Sequence, residues 1–180
     1  INRAECVAGE RVLVTGASGG VGSAAIQLLK NRGCEVVART SSSKQEQVRR
    51  LGADELSVRD LDAVSASDEV DAVVDVVGGD EFGEILDRLR DGGRMVTAGA
   101  IAGPIVSLDM RRLYLRQRRL IGSTMFTPVD FIELARIANS GGVHREVAES
   151  FALGDLRLAQ ERFGAKEFTG KLVVTPTSSN

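Results

Sequence analysis

Tryptophan is absent from these 180 residues, and tyrosine and histidine occur once each, as Tyr114 and His144. There are only two cysteines, Cys6 and Cys34. They are too few and too far apart to frame a zinc lobe, and they allow at most one disulfide, which chains of this class rarely carry. With one histidine, in the loop-like stretch "GGVHREV" and without a partner nearby, no Ser–His–Asp set and no metal-ligand spacing can be assembled. No catalytic residue and no metal ligand is assigned. Charge of one sign is not in excess either: 23 Lys and Arg stand against 25 Asp and Glu, a net charge of −2. That balance offers no attraction to nucleic acid or to a membrane surface. The run "RRLYLRQRRL" concentrates five arginines, but it lacks interleaved stacking aromatics and reads as a solvated face or a contact with another subunit. No apolar run approaches the roughly 18 residues of a membrane span, and "INRAECVAGE" has no apolar centre of the kind a signal peptide needs. The expected compartment is the cytoplasm. The chain opens on Ile1 rather than Met, as a piece of a longer polypeptide would.

What is present is an alternation. "RVLVTG" is a nearly continuous apolar run, as expected of a strand buried on both faces. "VGSAAIQLLKNRG" follows with a helical stripe, "CEVVART" is a second strand, and "SSKQEQVRRLG" a second helix. "VDAVVDVVGG" is a third strand, "EFGEILDRLRDGG" a helix, "RMVTAGA" a fourth strand and "RRLIGSTM" a fifth. "PVDFIELARIANSGG" is a helix with Pro128 at its start and Gly141 past its end. Strands and helices at this spacing build βαβ units. The expected fold is α/β, a doubly wound parallel sheet with helices on both faces. The closing stretch, "REVAESFALGDLRLAQERFGAKEFTGKLVVTP", reads as strand, helix, strand.

Between the first strand and first helix lies "TGASGGVGSAA", with glycine at 16, 19, 20 and 22. Glycines are costly in and around a helix, so their density asks for a reason. A helix N-terminus carries unpaired N–H groups and partial positive charge, and a pyrophosphate can reach them only where no Cβ intervenes. The candidate cradle is Gly16, Ala17, Ser18, Gly19, Gly20, Val21 and Gly22, in an A-x-G-x-x-G spacing. The competing structural reading, tight packing of helix on strand, needs about one of the four glycines.

Thr15, Gly16, Gly20 and Gly22 also satisfy the TGxxxGxG of short-chain dehydrogenases, but that family needs a Lys four residues after its Tyr, and Tyr114 is followed there by Arg118. The chain instead resembles the cofactor domain of the medium-chain dehydrogenase/reductases, in their zinc-independent quinone oxidoreductase branch. The pieces that carry the resemblance are "VLVTGASGGVGSAAIQLLK", "RRLGAD", "VDAVVDVVGG", "DGGRMVTAG", "LIGS" and "GKLVVTP", in order along nearly the whole chain. The resemblance implies a Rossmann cofactor domain over residues 1–142, and a segment over 143–180 that would complete a substrate domain missing from the N-terminal side. It implies a homodimer made through the edge strand at 118–125. It also implies hydride transfer between a nicotinamide cofactor and a quinone, enone or similar small-molecule carbonyl substrate. The zinc-bearing members keep their ligands mainly in the part absent here, so a zinc alcohol dehydrogenase domain is an alternative; a non-catalytic NADP(H)-binding scaffold is another.

The second strand ends without the acid that would bind the ribose hydroxyls of NAD. Arg39, Thr40, Ser41 and Lys44 stand there instead, donors with two positive charges suited to a 2′-phosphate. In the family, a Ser and a Lys at the positions of Ser41 and Lys44 hold that phosphate; Arg39 is added from its chemistry, as a group that could stack on adenine or fork onto the phosphate. The expected cofactor is NADP(H). The resemblance puts Val77 and Gly78 on its adenosine side and Ala98, Gly99 and Ala100 on its nicotinamide half. Asp75 reads as a structural carboxylate. The apolar residues of the closing segment would face an absent partner, so the segment is expected to fold back, exchange with a neighbour or be partly mobile, and the chain to bind cofactor without turnover.

Overall fold

A computed structural model describes residues 1–58 and 69–176. Six parallel strands form the main sheet: β1 (Arg11–Val14), β2 (Glu35–Thr40), β3 (Glu55–Val58), β4 (Val70–Asp75), β5 (Leu89–Thr97) and β6 (Arg119–Gly122), in the order β3-β2-β1-β4-β5-β6. Helices α1 (Gly20–Asn31), α2 (Gln45–Arg50), α3 (Phe82–Asp87), α4 (Arg111–Tyr114) and α5 (Pro128–Asn139) connect or follow them.

Side chains of a strand alternate between faces, and here each face has a helix to meet. Val12 and Val14 of β1, with Val36 and Ala38 of β2, pack against Ile26 and Leu29 of α1 and Val48 of α2. Leu13 and Val37, one position away, point to the opposite face and meet Phe82, Ile85 and Leu86 of α3. A short continuous apolar run such as "VLV" is therefore buried on both sides, and burying one such side chain is worth about 1.5–3 kcal/mol. The doubly wound parallel sheet expected from the alternation is the fold observed.

Two strands differ from expectation. β3 has no counterpart in the sequence pattern: "ELSV" is a short edge strand with Glu55 exposed, so neither alternation nor a continuous apolar run marks it. β5 begins at Leu89 rather than Arg94, because fully buried Leu89 pairs with Val70 and the residues between make an irregularity before Arg94 pairs with Ala72. "LRDGG" thus belongs to the strand, not to the end of α3.

At the N-terminal end of the sheet, the Arg94 guanidinium donates to both carboxylate oxygens of Glu10, at 2.7 and 2.5 Å, and to the carbonyls of Ala4 and Glu5 at 2.6 and 3.0 Å. This ties the N-terminal segment to β5.

The last 30 described residues form a separate βαβ unit: β7 (Val147–Ala152), α6 (Leu156–Ala165) and β8 (Lys171–Thr175), with β7 and β8 parallel. The unit folds back on the main domain. Gln27 donates to the His144 carbonyl and accepts from the His144 N–H, at 3.2 and 2.7 Å, and the Gly170 N–H donates to the Ser18 carbonyl at 2.9 Å. Apolar surface stays uncovered on α5 (Val129, Phe131 and Ile132) and on the closing unit (Leu153, Leu158 and Phe163). Among the described residues no helix is long and apolar enough to cross a membrane.

Candidate functional site

The sheet order reverses between β1 and β4, and the loops leaving these two strands diverge to opposite faces. Such a divergence at the carboxyl ends of parallel strands opens the crevice in which doubly wound folds bind ligands. The glycine loop follows β1, the Ser41–Lys44 turn follows β2, the Val77–Gly78 turn follows β4, and Ala98–Ala100 follow β5. The structure brings the four groups of sequence-predicted residues to one end of the sheet.

The glycines of the loop differ in what they do. Gly16 has φ +58°, and a Cβ there would lie 2.8 Å from the Val76 side chain. A Cβ on Gly22 would fall 2.2 Å from the Gly16 carbonyl oxygen and 2.7 Å from the Ala17 Cα, so this residue lets α1 pack on the loop. Packing thus needs two of the four glycines, one more than expected. Gly20 has no such requirement: a Cβ would meet only the Lys171 side chain, at 3.4 Å. No side chain caps α1, whose N-cap is Gly19, and its first turn closes with Ser23 N–H on the Gly19 carbonyl. The N–H groups ahead of that bond need an external acceptor. A cradle that a Cβ would fill, at the uncapped start of a twelve-residue helix, fits a phosphate.

The loop is braced by a buried network. The Thr15 hydroxyl donates to Asp75 Oδ1 at 2.6 Å and accepts from the Val76 N–H at 3.2 Å. Asp75, 2% exposed, also accepts from the N–H groups of Val77 and Gly78, both at 3.2 Å. One carboxylate thereby sets the turn after β4 against the loop after β1, in the structural role expected of it. The Ala98 N–H donates to the Asp75 carbonyl at 2.9 Å, and a Cβ on Gly99 would lie 3.0 Å from the Val76 carbonyl, so the loop after β5 packs on the same turn.

In the turn after β2, Ser41 precedes a single helical turn, and its hydroxyl lies 3.2 Å from that of Ser43. The Thr40 hydroxyl is buried with no hydrogen-bond partner among the described residues. Lys44 donates to the Lys166 carbonyl at 2.6 Å; burial, then the charge of Lys166, push its ammonium below the ordinary lysine pKa. Arg39 also has protein partners. Its side chain is mostly buried, with Nε and Nη2 on Glu81 Oε2 at 3.3 and 3.2 Å and Nη1 on the Ser57 hydroxyl at 3.1 Å. Its charge is paired with that of Glu81. Glu81 lies 42 residues further on, and no local signal in the sequence joins the two. Lys166, Gly170 and Lys171 of the closing unit touch Lys44, Ser18 and Gly20 of these loops, and again no local signal in the sequence joins them.

The fold and this crevice are those of a Rossmann-type dinucleotide-binding domain. A family profile described as zinc-binding dehydrogenase matches residues 20–140, and the chain belongs to that family. It is 33% identical over 178 residues to the acryloyl-coenzyme A reductase of Metallosphaera sedula, covering 97% of this chain and 53% of that one. The crystal structure of a putative alcohol dehydrogenase from Sinorhizobium meliloti 1021 superposes with a TM-score of 0.92 at 43% identity, covering 97% of this chain and 50% of the other. The structure of the 2-octenoyl-CoA carboxylase reductase CinF in complex with NADP and 2-octenoyl-CoA superposes with a TM-score of 0.90 at 27% identity, covering 98% and 45%. The chain spans about half the length of the curated relatives it matches.

The family's description implies zinc. Among the described residues, His, Cys, Asp and Glu side chains nowhere gather in a group of three that could hold a metal ion. Cys6 and Cys34 are both buried and free, with Sγ atoms directed at the backbone carbonyls of Ala4 and Val7. These residues do not fit a zinc centre.

Proposed function

We propose that this chain is the NADP(H)-holding part of an oxidoreductase that passes hydride between NADPH and an α,β-unsaturated carbonyl substrate such as an enoyl thioester, enone or quinone. The observation that carries the reading is the cradle at the start of α1, where Gly20 has no packing reason to be glycine, opposite an acid-free turn bearing Ser41 and Lys44. The pyrophosphate would rest on the N–H groups of Gly20, Val21 and Gly22, and the 2′-phosphate on Ser41 and Lys44. Val77 and Gly78 would line the adenosine side, and Ala98, Gly99 and Ala100 the nicotinamide. When bound, the nicotinamide supplies the hydride chemistry; these residues bind it, orient it and leave one ring face open. The enoyl-CoA reductase relatives support the substrate class.

The remainder of a longer protein would supply the opposite wall of the cleft. In this reading residues 1–142 are the cofactor domain and 143–180 the return into a substrate domain, and the chain as it stands binds NADP(H) without turnover. Uncovered apolar side chains on α5 and the closing unit support a missing partner. The edge position of β6, with Leu120 at 37% exposure, supports pairing with a second copy into a homodimer. Fluorescence titration with NADPH and NADH tests the cofactor reading. Assay of the whole parent with NADPH against a panel of enoyl thioesters, enones and quinones tests the substrate class.

A further inference from the structure

Midway along α1, Gln27 is only 8% exposed, and its side-chain amide meets one peptide of a distant segment. Its Oε1 accepts from the His144 N–H at 2.7 Å, and its Nε2 donates to the His144 carbonyl at 3.2 Å. A buried amide without partners is costly, and this segment supplies both a donor and an acceptor. One turn on, at a position that shares the same helix face, the Asn31 amide donates to the Gly142 carbonyl. Gly142 suits that contact: a Cβ there would lie 2.8 Å from both Asn31 amide atoms and from Ile137 Cγ2. Residues 141–146 are thereby strapped along α1. Two residues past His144, the Glu146 carbonyl accepts from the Lys171 N–H at 2.9 Å, and the neighbouring Gly170 N–H donates to the Ser18 carbonyl at 2.9 Å. Gly170 has φ +89°, and a Cβ on it would fall 2.4 Å from the Glu146 carbonyl oxygen, so these segments close only on a glycine. The contacts make a ring. It runs from Gln27 to His144, along the strap to Glu146, across to residues 170–171, back to Ser18 of the glycine loop, and down α1 to Gln27.

We propose that Gln27 is a positioning residue for the cofactor cradle: through this ring it fixes the closing unit on the glycine loop, so that occupancy of the cradle and docking of the unit are linked. The proposal rests on the NADP(H) reading above and adds to it a residue roughly 10 Å down α1 from the cradle. Such a linkage is reciprocal. A ligand that binds better with the unit docked must strengthen the docking by the same factor.

The test uses the full chain, amide hydrogen exchange followed by NMR, and NADP+ titrated by calorimetry. Gln27→Met keeps the length of the side chain and removes both bonds to His144; Gly142→Ala loosens the strap from its own side. In each variant the Gly170 N–H, on the far side of the ring, should exchange about tenfold faster. Ile85 of α3, packed on the opposite face of the sheet, should be unchanged. In the unmodified protein, NADP+ at about a hundred times its Kd should slow exchange at His144 by up to about a hundredfold, again without moving Ile85. NADP+ should bind Gln27→Met more weakly, by a factor no larger than that of about ten. Faster exchange at His144 with Gly170 unmoved would mark a local structural role and overturn the ring, and equal acceleration at Ile85 would overturn it as a general loosening. NADP+ that leaves His144 exchange unchanged, or that binds Gln27→Met as tightly as the unmodified protein, overturns the linkage. NADP+ that fails to bind the unmodified protein overturns the NADP(H) reading itself, while Gly170 exchange still decides whether Gln27 fixes the closing unit.

Discussion

Gly20→Ala and Gly22→Ala place the same methyl group two residues apart and should fail in opposite ways. At Gly22 the new Cβ would sit 2.2 Å from the Gly16 carbonyl oxygen and 2.7 Å from the Ala17 Cα. Both atoms are backbone and cannot swing aside, so α1 must move off the loop by roughly 1 Å, and overpacking of this kind costs about 1–3 kcal/mol. At Gly20 the methyl would meet only the flexible Lys171 side chain, at 3.4 Å. Losing a glycine there restricts the unfolded chain and should stabilise the protein by about 0.4–1 kcal/mol. The methyl would nonetheless stand in the path of a pyrophosphate approaching the first N–H groups of α1. Loss of one charge-assisted hydrogen bond is worth about 1.5–3 kcal/mol, or roughly ten- to a hundredfold in Kd. Urea unfolding followed by circular dichroism and NADPH titration by fluorescence give the two readouts. The expected pattern is a less stable Gly22→Ala, and a Gly20→Ala at least as stable as the parent but about tenfold or more weaker for NADPH. A Gly20→Ala protein that binds NADPH with undiminished affinity would refute the cradle; a fully stable Gly22→Ala would refute the packing argument.

Three further outcomes are expected. Lys44→Glu should abolish any preference for NADPH over NADH in paired titrations, whereas a preference that survives it would remove Lys44 from the phosphate site. Glu10→Ala leaves the Arg94 side chain, 6% exposed, without its carboxylate, and should cost about 3 kcal/mol in urea unfolding while leaving NADPH affinity unchanged, since the pair lies at the far end of the sheet. Hydrogen bonds from Arg94 hold the Glu10 carboxyl below its ordinary pKa of 4.5; a depressed folded pKa stabilises above the unfolded value, so this contribution should be complete at neutral pH and fade as the pH falls below that value. A pH-unfolding series in which Glu10→Ala and the parent stay equally far apart down to strong acid would contradict it. Pairing through β6 predicts a dimer by light scattering that Leu120→Lys converts to monomer, and a parent that is monomeric at the outset would sink that reading.

Much of this protein was written in local pattern. Buried parallel strands appear as short apolar runs because both faces of "VLV" and "AVV" meet helices, and α1 shows its buried stripe because one face of a helix repeats every 3.6 residues. The glycine loop was legible because a strand, a glycine-dense turn and a helix follow each other without interruption. β3 was not, since an edge strand of four residues with Glu55 exposed carries no periodic signal. The extension of β5 back to Leu89 was hidden because "LRDGG" reads locally as the end of a helix. Arg39 shows the limit most plainly: the sequence supplies a cation in the right strand, but only the packing of α3 against the sheet brings Glu81 to neutralise it. Likewise "GAKEFTGK" reads as an unremarkable tail, and only the return of the βαβ unit over the loop sets Gly170 on Ser18 and Lys166 on Lys44. Periodicity records which face of an element is buried; which distant side chain it is buried against is decided when the chain closes on itself.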